Sequence, residues 1–177
     1  MDVIGVDHIY LAVSDFAASE AFYDAVMRAL GFFKGDRPIG GERHAHYFNR
    51  VLQLSIRPAR SASAHDPYAP GLHHLCLQVA TPQDVDAAYA SVHALGIAAT
   101  PPRTYPEYSA DYYATFFSDR DGIRLEVVAR RQMRDDIVRE WDQLRSFLNP
   151  LQELRRERAS SMPGRAAPDV THRSASG

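Results

Sequence analysis

The sequence predicts an α+β domain built from two copies of one βαβββ module in a pseudo-twofold arrangement, and three observations carry that prediction. The segment Val6-Asp7-His8-Ile9-Tyr10-Leu11-Ala12-Val13 returns as Leu72-His73-His74-Leu75-Cys76-Leu77-Gln78-Val79, 66 residues later by its matched histidines (74 − 8). Both segments alternate large apolar residues with polar or small ones, the period of a strand with one buried face. Each is followed by a helical stretch with a similar ending: Ala21-Phe22-Tyr23 leads to Ala29-Leu30-Gly31-Phe32, and Ala87-Ala88-Tyr89 to Ala94-Leu95-Gly96-Ile97. Glycine stands in both where left-handed dihedrals close a helix. A repeat in the sixties is longer than a solenoid unit and marks two halves of one domain.

The first module spans about residues 4–58. Ser14-Asp15 caps its helix, and three more strands are expected at Gly35 to Pro38, Arg43 to Asn49 and Val51 to Arg57. Pro58 to Pro70 is rich in Ala, Ser and Pro and reads as an exposed linker. The second module, about 71–130, opens its helix with Thr81-Pro82. Its further strands fall near Ala98, at Tyr112 to Ser118 and at Ile123 to Ala129, the last two joined through Asp119-Arg120-Asp121-Gly122 as a hairpin. Beyond it an amphipathic helix is expected over 131–158, continuous from Arg131 to Asn149 and interrupted at Asn149-Pro150. Met133, Ile137, Trp141, Leu144 and Leu148 share one of its faces, to be buried on the chain's own sheet or a second subunit. Residues 159–177 are polar, contain Pro and are expected to be disordered.

Composition narrows the function. At 177 residues, 45% hydrophobic and 24% charged, with nine Tyr and eight Phe, the chain suits one well-filled core. Lys plus Arg number 20 against 22 Asp plus Glu, a net charge of -2 that offers no field for nucleic acid or an anionic membrane. No apolar run approaches the roughly 18 residues of a membrane span. The single Cys76 excludes an internal disulfide, and MDVIGVDHIYLAVSD lacks the regions of a secretory signal, so a cytoplasmic location is expected.

Period-2 alternation sorts the strands into faces. With Ile9, Leu11 and Val13 under the helix, His8, Tyr10 and Ala12 share the opposite face. With Leu75, Leu77 and Val79 inward, His74, Cys76 and Gln78 are left. Leu52, Leu54 and Ile56 leave Gln53, Ser55 and Arg57, while Ile123, Leu125 and Val127 leave Arg124 and Glu126. Two half-sheets in pseudo-twofold relation bury something between them. A concave face lined with His, Gln, His and Glu is a poor apolar core but a good metal cavity.

Asp7-His8-Ile9, Ala21-Phe22-Tyr23 with Leu30-Gly31-Phe32, Gly71-Leu72-His73-His74-Leu75 and Asp121-Gly122-Ile123-Arg124-Leu125-Glu126 together resemble the vicinal oxygen chelate superfamily over about residues 4–130. That group contains glyoxalase I, the bleomycin- and fosfomycin-resistance proteins and the extradiol dioxygenases. The resemblance implies mixed sheets curving around a metal cavity, a homodimer, a small-molecule substrate and one divalent ion, Zn, Ni, Mn, Co or Fe(II). It maps the ligands to His8, Gln53, His74 and Glu126. Glyoxalase I enzymes commonly carry Glu at the place of Gln53, so a His8, His74, Glu126 site with open positions is equally compatible.

Residue by residue, Glu126 interrupts the apolar run LEVVA, where a partner cation explains a carboxylate better than pairing with Arg57 or Arg124. It is also the expected catalytic base. Tyr10, His46, Arg57, Cys76 and Tyr112 are the expected substrate contacts, although Cys76 also reads as a small buried thiol, and the tyrosine-rich loop Tyr105 to Tyr113, which either lids or packs on the cavity, is expected to contribute to them. His73 is assigned to packing on the opposite face; His44, His65, His93 and His172 receive no role. The expected function is a glyoxalase-like lyase or isomerase acting beside a carbonyl. The alternatives are Fe(II) extradiol cleavage, against which Tyr112 and Tyr113 fall out of step with an acid-base role, and a metal-free drug-binding protein.

Overall fold

The computed structural model describes residues 3–61 and 63–161, so most of the expected disordered tail, 162–177, lies outside the described residues. The first module comprises β1 (His8–Val13), α1 (Phe16–Ala29), β2 (Phe33–Gly35), β3 (Ala45–Phe48) and β4 (Gln53–Pro58). The second comprises β5 (His74–Val79), α2 (Pro82–Ala94), β6 (Arg103–Thr104), β7 (Tyr113–Ser118) and β8 (Arg124–Ala129). Each module forms a four-stranded mixed sheet, in the orders β1-β4-β3-β2 and β5-β8-β7-β6, with the same parallel first pair. The two βαβββ modules therefore share one topology. β2 lies earlier than the Gly35 to Pro38 expectation, and β6 later than Ala98, where only an isolated bridge from Ala99 to Phe117 forms.

Local chemistry sets the helix ends. Asp15 caps α1 by accepting from the Ala18 amide, while Thr81 and Asp84 form a reciprocal capping box on α2, with Pro82 at its start. Gly31 and Gly96 follow the two helices with φ of +81° and +75° and nothing within 4 Å of an added Cβ. Gly31→Ala and Gly96→Ala should therefore each cost about 1 kcal/mol from backbone strain alone, read from the midpoint of urea unfolding.

Helix-facing side chains of both modules merge into one core: Leu11, Val13, Tyr23, Val26, Leu54 and Ile56 pack with Leu75, Val85, Val92, Leu125 and Val127. Polar bonds tie the modules at one end. Tyr23 Oη donates to Asp119 Oδ2 at 2.8 Å, and the Ser14 hydroxyl and amide donate to Asp121. Burial and the Asp119 carboxylate push the Tyr23 phenol far above its usual range.

The segment from Gln132 forms a separate compact unit and departs from expectation. Instead of one helix over 131–149, α3 (Gln132–Glu140) passes into a 3-10 turn at Trp141–Gln143, and α4 begins at Pro150 and runs to Ser161, through the first residues expected to be disordered. Ser146 Oγ exchanges local hydrogen bonds with the Leu148 backbone, competing with helix. Asn149 adopts φ of +52° before Pro150, which disfavours helix at its predecessor and starts the next one. The Met133 to Leu148 stripe is consequently broken, with Trp141 and Leu148 exposed rather than buried. Among the described residues no helix is long and apolar enough to cross a membrane.

Candidate functional site

The strand faces turned away from the helices carry the polar residues, and strand register decides which of them meet. In the second sheet His74 stands opposite Arg124, and Cys76 opposite Glu126; in the first, His8 stands opposite Gln53, and Tyr10 opposite Ser55. The register counterpart of Glu126 is thus Ser55, two residues beyond Gln53. Ser55 is fully buried, its Oγ lies 2.9 Å from His46 Nδ1, and it accepts from Gln53 Nε2 at 2.9 Å. That network occupies the first module where the second holds an acid.

The open face of the second sheet forms a cavity of about 520 Å³ lined by His73, His74, Glu107, Tyr108, Tyr112, Phe116, Arg124, Glu126 and Arg130. At its floor Glu126 is only 1% exposed. Its Oε1 accepts from Tyr112 Oη at 2.6 Å, and its Oε2 lies 3.3 Å from His74 Nε2. Neither Arg57 nor Arg124 pairs with it. The other ring nitrogen, His74 Nδ1, is 2.7 Å from His73 Nδ1. When His74 donates in that bond, its Nε2 keeps a lone pair directed at the carboxylate side. Desolvation, and next the bond to Glu126, raise the Tyr112 phenol well above its usual range, so it remains a donor. Cys76 is exposed rather than buried, yet desolvation and then the Glu126 carboxylate push its thiol up to about 12.

The first sheet presents a separate group. His8 is half-exposed and bonds Asp7 Oδ2 at 2.7 Å. Tyr10 meets His8, His44 and His46 edge-on, His44 and His46 stack at 5.8 Å, and Arg57 pairs with Glu42. Of the expected site residues the cavity holds His74, Glu126 and Tyr112, with Cys76 beside Glu126. His8, Tyr10, His46, Gln53 and Arg57 belong to the other sheet. Among the described residues no three His, Cys, Asp or Glu side chains group to hold a metal ion within one chain.

Of the other lining residues, His73 departs from the sequence reading, whereas Arg124, Glu107 and Tyr108 lie on the face and in the loop that it indicates. His73 lines the cavity and bonds His74 instead of packing beneath the sheet, because it precedes β5, where strict alternation does not yet apply. Arg124 shares the Glu126 face, a signal legible in the alternation. Glu107 and Tyr108 enter through a loop closed by the Tyr105 to Tyr112 backbone bond of 2.7 Å, which also brings Tyr112 onto Glu126 despite its sequence offset.

Residues 5–127 match the family model described as Glyoxalase/Bleomycin resistance protein/Dioxygenase superfamily. An uncharacterized Escherichia coli (strain K12) protein, YaeR, is 30% identical over 132 residues, covering 69% of this chain and 93% of that protein. The structure of a glyoxylase/bleomycin resistance protein/dioxygenase domain from Frankia sp. EAN1pec superposes with TM-score 0.61 at 25% identity, over 73% of this chain and 100% of that one. The same fold recurs in the fosfomycin resistance protein FosX from Listeria monocytogenes, whose glutamate-to-glutamine variant complexed with Mn(II) and 1S,2S-dihydroxypropylphosphonic acid gives TM-score 0.55 at 18% identity, over 76% of this chain and 98% of that one. With its repeated module, its cavity and these matches, the chain belongs to the glyoxalase/bleomycin resistance/dioxygenase superfamily, the vicinal oxygen chelate proteins.

Proposed function

We propose that this chain is a divalent-metal-dependent enzyme of the glyoxalase type, a lyase or isomerase acting beside a carbonyl of a small oxygen-rich substrate. The observation that carries this reading is Glu126: a fully buried carboxylate whose side-chain partners are a tyrosine hydroxyl, an imidazole and the Cys76 thiol. Burying a carboxylate costs several kcal/mol, which a bound cation offsets. The donors fit. An imidazole nitrogen and a carboxylate oxygen 3.3 Å apart suit Zn, Ni, Mn, Co or Fe(II). The Mn(II) complex of the FosX variant is consistent with such an ion.

His74 and Glu126 of one subunit would hold the ion together with His8 of a second copy of the chain, which makes the active form a homodimer. Bound there, the ion supplies Lewis-acid stabilisation of negative charge growing on a substrate oxygen. Glu126 takes the proton beside the carbonyl. Tyr112 fixes the carboxylate by its hydrogen bond, and its raised pKa keeps it from competing as a base. His73 holds the His74 ring in orientation.

Metal content tests the reading. Protein purified without added metal should carry about one divalent ion per chain, and protein found free of metal and unable to take up Zn or Mn refutes it. Sharing is tested by mixing His8→Ala and Glu126→Ala dimers under subunit exchange. Half the dimers are then mixed and each has one intact site of two, so about a quarter of the metal capacity should return if sites are shared. None returns if each chain builds its own.

A further inference from the structure

Arg124 is a cation of the cavity that the His74 and Glu126 pair leaves unused. It stands opposite His74 in the β5/β8 register and two residues before Glu126, hence on the same face. Its guanidinium carbon lies 4.2 Å from the centre of the Phe116 ring. Among the described residues no side-chain hydrogen bond or ion pair engages that guanidinium, because the acid two residues away is taken by Tyr112 and His74. In the first module the same register position is Gln53, whose amide is satisfied by Ser55. The second module therefore has an open donor where the first has a closed one.

A guanidinium seated over an aromatic ring still has N–H groups to offer, and its planar fork matches a planar oxyanion through two parallel hydrogen bonds. The surroundings add a second cation and an apolar wall. Arg130, His73 and His74 line the same cavity, against Glu107 and the already engaged Glu126. The Tyr108 ring, 60% exposed, stands 5.0 Å from Tyr112 and makes an apolar wall beside Phe116. We propose that the cavity selects small substrates bearing a carboxylate on a flat apolar body, and that Arg124 is the residue that binds this carboxylate. Two strand residues, about 7 Å, separate it from Glu126, so the anion is held away from the oxygen undergoing chemistry. The assignment rests on this cavity being the active site, as proposed above, but the anion contact itself requires no metal.

The test uses the full chain after dialysis against EDTA, with 2-naphthoate and its neutral isostere 2-naphthamide titrated calorimetrically into wild type, Arg124→Gln and Arg124→Met. Wild type should bind 2-naphthoate at least about tenfold more tightly than 2-naphthamide. Both variants should lose that preference with 2-naphthamide affinity and the circular dichroism melt unchanged. Equal affinities in wild type, no measurable binding of 2-naphthoate, or a preference that survives both substitutions would each overturn the proposal. Because metal is removed beforehand, a failure of the metal reading leaves this result standing, and the two failures are separable.

Discussion

His74→Ala is expected to strip the protein of its divalent ion, lowering affinity for Zn or Mn by at least about a hundredfold. Losing a hydrogen-bonded neighbour of a ligand already costs ten- to a hundredfold in metal affinity, so losing the ligand itself exceeds that range. The neighbouring hydroxyl is a poor replacement, because desolvation and the bond to Glu126 hold Tyr112 protonated. Competition titration against a chromogenic chelator, followed by elemental analysis, reads the change directly. His93→Ala, which removes a ring stacked on Tyr89 along α2, serves as control and should retain full metal content. Equal metal in the two variants would refute the ligand assignment, whatever happens to activity.

The largest effect on stability is expected at Asp119. Its Oδ2 accepts from buried Tyr23 and its Oδ1 from the amides of Asp121 and Ile123, so one carboxylate both shapes the β7/β8 turn and fastens it to α1. Asp119→Ala leaves three donors unmatched, two of them buried, and should cost about 3 kcal/mol. In a thermal melt this amounts to a loss on the order of 10 °C. Asp119→Asn keeps an acceptor for the amides and should cost about 1 kcal/mol. The pH dependence has a defined sign. Burial, ahead of the opposing hydrogen bonds, raises the Asp119 carboxyl above the usual aspartate range. An acid whose folded pKa exceeds its unfolded one adds stability below the unfolded value and loses it as pH rises through the folded one. Asp119→Asn should remove that slope, measurable as the difference in urea midpoints between the two proteins across the acid range.

Much of the fold is legible in the chain because the repeat is written in residues that packing dictates. His8 and His74 fall at equivalent strand starts, and Gly31 and Gly96 follow equivalent helices. Glu126 stands out for a simple reason: an acid inside LEVVA needs a partner. Register is harder. Alternation assigns Gln53 and Ser55 to one face without saying which faces Tyr10 and which His8, and pairing across the sheet, a long-range property, makes Ser55 the counterpart of Glu126. Tyr112 reaches Glu126 through a loop closure invisible to periodicity. The break after Glu140 reflects the local bonding of Ser146 and the strained Asn149, which override an apolar spacing that reads as continuous helix.

The fused interior has a consequence for how this molecule assembles and comes apart. Although the halves repeat each other, their helix-facing side chains fill one shared core, so each half buries its apolar surface against the other. Within each half the first strand must await a parallel neighbour 45 (53 − 8) or 50 (124 − 74) positions downstream before it is paired, a late and entropically demanding closure. Residues 4–130 should therefore melt in one cooperative step, and slow amide exchange should be distributed over both halves alike instead of fading from one to the other.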